Sequence, residues 1–308
     1  MERAFSIPAT HVIESELLSN GLMSTAASNA EMHYVRRGTG SPLLLLHGIG
    51  ESWRSWSTIL DALTAERDVI AVDLPGFGDT PPLPGDISVA ALADAVTHFL
   101  DAHELRGIDC VGSSMGARLA LELARRGVVG ATVSLDPGGF WRGGEKTFFG
   151  ASIALSIRVV RLLKPVFPML TRHALGRTLL FIQFSARPWA LPADVALTEL
   201  ESFINAPSFD PLLRSLVHGP KQQGAPAGST PGSIVIGWGR RDRVCVPAQA
   251  KRALALFPDA RIHWLDDCGH FPQWDAPAET VELILRNTGE ARSTEVAARA
   301  SREQFSSS

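Results

Sequence analysis

From residue 31 onward the chain alternates short, unbroken apolar runs with stretches of helical spacing. Leu43–Leu46 is the first run, Val69–Val72 the second and Ile108–Val111 the third. Between them, Trp53–Leu63 and Val89–Leu100 carry apolar residues at helical intervals. A strand without polar residues on either side must be covered on both faces, and helices joining successive strands supply that cover. The alternation predicts right-handed βαβ crossovers and a parallel sheet with helices on both faces, an α/β fold.

The pattern continues with a helix over Met115–Arg126, a C-capping Gly127 and a fourth apolar run over Val128–Leu135. It breaks after Asp136-Pro137-Gly138-Gly139. Residues 138–231 are helical and irregular, with six prolines from Pro165 to Pro211, and Gly219–Gly232 reads as a linker. Alternation then resumes. Ser233–Trp238 and Arg261–Leu265 read as strands, and Pro247–Leu256 and Pro277–Arg286 as helices. The expected organisation is an N-terminal extension over 1–30, a core from 31–137 and 232–288, a helical cap over 138–231, and a polar tail over 289–308 expected to be disordered.

Net charge is −3 across 308 residues, with no basic stretch of the kind that binds nucleic acid. Three cysteines, Cys110, Cys245 and Cys268, are too few and too scattered for a disulfide framework or a zinc site. The first twenty residues lack the apolar core of a secretory signal, so the expected compartment is the cytoplasm. The most apolar long stretch, Ala151–Leu170, contains Arg158, Arg161, Lys164 and two prolines. Those charges argue against a membrane span and for a core or lid helix.

Gly112-Ser113-Ser114-Met115-Gly116 lies between the third strand run and a helix. A sharp strand-to-helix turn puts its central residue in a strained conformation, and glycines two before and two after let the neighbouring chain come close. Only Ser114 of the two adjacent serines has both glycines, so Ser114 is the candidate nucleophile. The Gly-rich His47-Gly48-Ile49-Gly50 follows the first run and can aim a backbone N–H at a substrate oxygen. The amides of Ile49 and Met115 are the candidate oxyanion donors. A serine hydroxyl needs a base, and the base needs an acid to hold its tautomer. His270 and Asp242 follow the last two strands, giving the order Ser114, Asp242, His270, each just past a strand end. Asp136, after the fourth run, is the alternative acid.

These segments resemble the α/β-hydrolase family: HGIG at 47–50, DLPGFGDT at 73–80, GSSMG at 112–116, GRRD at 239–242 and CGHFPQWDAP at 268–277. The resemblance implies a mostly parallel eight-stranded sheet, a helical cap after the sixth strand and no metal or organic cofactor. Dehalogenases and epoxide hydrolases of this kind carry Asp where this chain has Ser114. CGHFPQW is similar to the histidine segment of C–C hydrolases of meta-cleavage products, but those have Asn at the position of Ser113 and Trp at that of Phe271. The leading expectation is a carboxylesterase for small to medium apolar esters. C–C hydrolysis, with Arg172 or Arg187 holding a substrate carboxylate, cofactor-free perhydrolysis and a non-enzymatic binding module are the alternatives. Phe148, Phe149, Phe167, Phe181, Phe184 and Trp189 are candidates to line the substrate wall.

Overall fold

The computed structural model describes residues 31–289. The 1–30 extension and all of the expected tail except Gly289 lie outside the described residues. Seven strands form one sheet: β1 (Tyr34–Arg37), β2 (Pro42–Leu46), β3 (Asp68–Val72), β4 (Asp109–Ser113), β5 (Thr132–Leu135), β6 (Ile234–Gly239) and β7 (Arg261–Leu265). Their order is β1-β3-β2-β4-β5-β6-β7, and every pairing is parallel except that of β1 with β3. The eight strands expected from the resemblance are therefore seven among the described residues. At the β1 edge, Arg36 and Arg37 are exposed, and charged side chains discourage further pairing there.

The unbroken apolar runs divide between two layers as a pleat requires. Leu44, Leu46, Ile70, Val72 and Ile236 join the core beneath α2 (Val89–Ala102) and α3 (Met115–Arg125). Leu43, Leu45, Val69, Ala71 and Val235 face the opposite layer, made by α1 (Ser57–Thr64) and, near the C-terminus, by a helix over Pro277–Asn287. The fourth run differs from expectation, because β5 begins only at Thr132. Gly127 takes φ +72°, Gly127 N–H donates to Ala124, and Val128 N–H donates to Leu123, which closes the helix and turns the chain. Val128 and Val129 fill the turn below the sheet instead of extending it.

Between β5 and β6 the chain forms five α-helices: α4 (Glu145–Leu163), α5 (Phe167–Arg172), α6 (Ala174–Phe181), α7 (Ala193–Asn205) and α8 (Phe209–His218). After β6 come α9 (Ala250–Leu256), the short α10 (Pro272–Asp275) and α11 (Pro277–Asn287). The register aligns Leu46 with Gly112, Ser113 with Leu135, and Gly239 with Leu265. The segments after β2, β4, β5, β6 and β7 therefore emerge at one rim, where a parallel sheet builds its site.

At the other end of the sheet, Arg67 is buried. It donates to Asp109 at 2.7 Å, to the carbonyls of Ser41 and Pro42, and to Thr288. Removing one member of a buried pair strands the other charge. Arg67→Ala is expected to lower unfolding stability by about 3–5 kcal/mol, read from urea midpoints. A loss below about 1 kcal/mol would show that water reaches Asp109 readily.

Candidate active site

Ser114 sits between β4 and α3 with φ +57° and ψ −113°, strained for a residue with a side chain. Two close approaches hold it there. A Cβ on Gly116 would lie 2.1 Å from the Leu46 carbonyl oxygen, and one on Gly112 would lie 2.1 Å from that of Gly116. Only glycine fits at either place. Ser114 N–H donates to the Leu135 carbonyl at 2.9 Å, anchoring the turn to β5. Its hydroxyl, freed from capping the helix, points to the loop after β7.

There the Ser114 hydroxyl donates to Nε2 of His270 at 2.7 Å, and Nδ1–H of His270 donates to Oδ2 of Asp242 at 2.9 Å. All three side chains are buried. The other Asp242 oxygen accepts the amides of Val244 (2.7 Å) and Cys245 (3.0 Å), so the carboxylate cannot swing away. Asp136, the alternative acid, is not on the imidazole. One of its oxygens accepts Gly239 N–H at 2.8 Å, and the other has no donor and faces Asp242. Burial and the Asp242 charge push its carboxyl well above the usual carboxylate range. A neutral Asp136 can donate its proton to Asp242, which makes it a partner of the acid instead of a substitute for it. Its φ of +51° is the second strained backbone at this rim.

The loop after β2 is held from both sides. His47 Nδ1–H donates to the Gly48 carbonyl at 2.7 Å, and Nε2 accepts Leu74 N–H at 2.9 Å, an arrangement that needs the neutral ring. Burial lowers its pKa in the same sense. Gly48 N–H donates to Glu51 at 2.6 Å, and a Cβ on Gly48 would meet both that carboxyl and the Ser114 Cβ. The Ile49 N–H has no acceptor among the described residues, and that of Met115, first in α3, has none within its helix. Both amides are free to receive an external oxygen.

Glu51 has a counterpart that spacing did not reveal. Glu199, on α7, accepts the Ser55 hydroxyl at 2.9 Å and interacts electrostatically with Glu51. Each carboxyl has one oxygen with no partner. Burial pushes Glu199 up to about 8, and burial together with the Glu199 charge pushes Glu51 well above its usual range. The two cannot both be ionised in this enclosure, so the loop and the inserted helices meet through a pair that retains a proton. Glutamates 148 residues apart in sequence carry no local signal of this meeting.

Ser114 and His270 open into an apolar cavity walled by Ile49, Phe149, Ile153, Ile157, Phe203 and Phe209, with Phe184 and Phe271 beside the imidazole. Of the six aromatic residues expected to line it, Phe149 and Phe184 do. Phe148 and Trp189 are exposed instead; Phe148 lies about 100° around α4 from Phe149, off the face that meets the cavity. Phe167 and Phe181 are buried away from the cavity, Phe181 edge-on to Trp274 of α10. Arg172 and Arg187 do not line the cavity; the Arg187 guanidinium donates to the Asp275 carbonyl. Asp242, Cys245 and His270 bring three potential metal-ligand atoms together, yet the imidazole and carboxylate are already bonded to each other and burial keeps the thiol protonated.

The Glu51–Glu199 pair has a pH signature. Glu199 titrates near 8 when folded and near 4.5 when exposed, so its contribution to stability is full below 4.5 and is lost as pH rises toward 8. The loss is about 1 kcal/mol per pH unit. Glu199→Gln keeps the Ser55 bond and can donate to Glu51. Its urea midpoint is expected to vary less between about pH 5 and pH 8 than that of the wild type. Identical pH dependence in both proteins would show that Glu199 is ionised throughout.

A sequence model of the alpha/beta hydrolase family matches residues 43–283. The 2-hydroxy-6-oxononadienedioate/2-hydroxy-6-oxononatrienedioate hydrolase 2 of Pseudomonas putida is 27% identical over 267 residues, covering 83% of this chain and 90% of that protein. Lipase 3 of a Moraxella species is 26% identical over 266 residues, covering 83% and 80%. Among solved structures, a bacterial membrane phospholipase A superposes with a TM-score of 0.65 at 25% identity, over 83% of this chain and 82% of that one. The strand order, the rim that carries the site and the match over most of its length agree: this chain belongs to the alpha/beta hydrolase family.

Proposed function

We propose that the protein is a serine carboxylesterase for apolar esters, with Ser114 as nucleophile, His270 as general base and Asp242 as the acid that orients it. The observation that carries this reading is the bonded chain from Ser114 Oγ through His270 to Asp242, opening into an apolar cavity. In this mechanism the Ser114 oxygen adds to the ester carbonyl carbon while its proton passes to Nε2 of His270. The carbonyl oxygen becomes an oxyanion and takes the amides of Ile49 and Met115, each worth about 3 kcal/mol of barrier. Collapse breaks the bond to the alcohol oxygen, which leaves with the proton from His270. Water then adds to the acyl carbon, gives its proton to His270, and releases the acid as Ser114 recovers its hydrogen. Asp242 remains ionised and stabilises the transient imidazolium.

The relatives include a lipase and a C–C hydrolase, so family membership alone does not choose the bond. The cavity favours esters. A substrate that carries a carboxylate needs a cation, and neither arginine considered for that role lines the space. Apart from Ser114 and His270, the polar side chain at its wall is Ser156, which is bonded to Gln183.

Ser114→Ala is expected to lower kcat on p-nitrophenyl butyrate by about 10⁴–10⁶-fold and to abolish labelling by a fluorophosphonate. Turnover of a dienoate ring-fission product faster than of the butyrate would instead favour the C–C reading. Asp242→Asn is expected to cost about 10⁴-fold in kcat. Asp136→Asn, which still accepts from Gly239 and donates to Asp242, is expected to retain most of the activity. Equal losses in the two variants would mean that both carboxyls serve the imidazole.

A further inference from the structure

Nine of the ten large apolar side chains exposed by the described residues lie between Phe148 and Trp189. They are ordered, not scattered. On α4, Phe148, Leu155, Val159 and Leu162 are spaced by seven, four and three residues, which keeps them within about 60° of one another around the helix. Phe149, Ile153, Ile157 and Val160 form a second stripe on the same helix and line the cavity. One helix therefore has an apolar face toward Ser114 and another toward the outside. Leu175, Leu179 and Ile182 repeat the outward stripe on and just after α6.

Basic residues dominate the segment that carries these stripes; the acidic neighbours are Glu145, beside Phe148, and Asp210, which pairs with Arg161. From Lys146 to Ala193 the chain carries seven Lys and Arg and no Asp or Glu, within a protein of net charge −3. Arg158, Lys164 and Arg172 are exposed and have no acidic partner among the described residues. A two-fold contact with a second copy through this face would set cations against the same cations. No helix among the described residues is long and apolar enough to cross a membrane. Apolar stripes bordered by cations fit a surface that is apolar within and anionic at its boundary.

We propose that the outward face of α4 and α6 docks on an anionic lipid bilayer. Leu155, Leu162, Leu175 and Leu179 enter the interfacial layer, while Arg158, Lys164 and Arg172 meet lipid phosphates. Docked this way, α4 lies between the bilayer and the cavity, so an acyl ester leaving the lipid reaches Ser114 past a single helix. That delivery step rests on the ester reading above; the docking itself does not.

The full chain is sedimented with vesicles of equal parts phosphatidylglycerol and phosphatidylcholine, and with vesicles of phosphatidylcholine alone. The wild type is expected to partition onto the anionic vesicles, less so as salt rises. Replacing Arg158, Lys164 and Arg172 by Gln is expected to weaken partition about fivefold per charge. Leu155→Glu with Leu179→Glu is expected to weaken it by at least about tenfold. Thermal midpoints equal to that of the wild type show that these variants are folded. A wild type that stays in the supernatant with anionic vesicles overturns the proposal, as does a leucine double variant that binds undiminished. It is also overturned if light scattering finds a wild-type dimer that the leucine variant breaks, without vesicle binding. Vesicle binding without ester turnover would sink the ester reading and leave the docking intact.

Discussion

The backbone at Ser114 governs the rest of the site. A side chain at φ +57° is tolerated because Gly112 and Gly116 allow α3 to start almost on top of β2. That closeness sets the Ser114 Cβ against the loop after β2 and leaves the first amide of α3 unpaired beside it. An ordinary helix start would have turned the hydroxyl back onto its own helix as a cap. Here the strain, of order 1–3 kcal/mol, is borne by the flanking strands, and the hydroxyl is presented to His270.

The inserted helices complete the site as well as cover it. His270 N–H donates to the Phe184 carbonyl at 2.7 Å, and Asp275 accepts the amides of Ala186 (2.8 Å) and Gly269 (2.7 Å). The imidazole loop is thereby tied to the segment after α6. On the other side, Glu199 of α7 meets Glu51 behind the loop after β2. The two loops that would hold the substrate carbonyl and move its proton thus lean on the same insert. A shift in the insert would be felt at both ends of the reacting group.

Protons held away from solvent recur at this rim. Burial and the neighbouring Asp242 push the Asp136 carboxyl well above the usual range, and burial does the same to Glu51 and Glu199 behind Gly48. In each case a second carboxyl shapes a group next to the reaction without touching the cavity. Burial, and not sequence neighbourhood, makes these pairs.

Much was legible from residue order alone. Unbroken runs such as Leu43–Leu46 demanded a sheet covered on both faces, and glycines flanking Ser114 demanded the sharp turn, because both rest on local sterics and on a period of two. The same local logic located His270 and Asp242 after strand ends. It failed where distance along the chain hides the contact. Asp136 and Asp242 both follow strands, and only the packing decides that one meets the imidazole while the other meets its neighbour. Phe148 and Phe149 are equivalent as letters, yet one faces solvent and the other the cavity, since the rotation of α4 is set by what it packs against. Strand, helix and turn were written in the order of the residues; which side chains share a buried space depends on how the layers close, and no single segment carries that information.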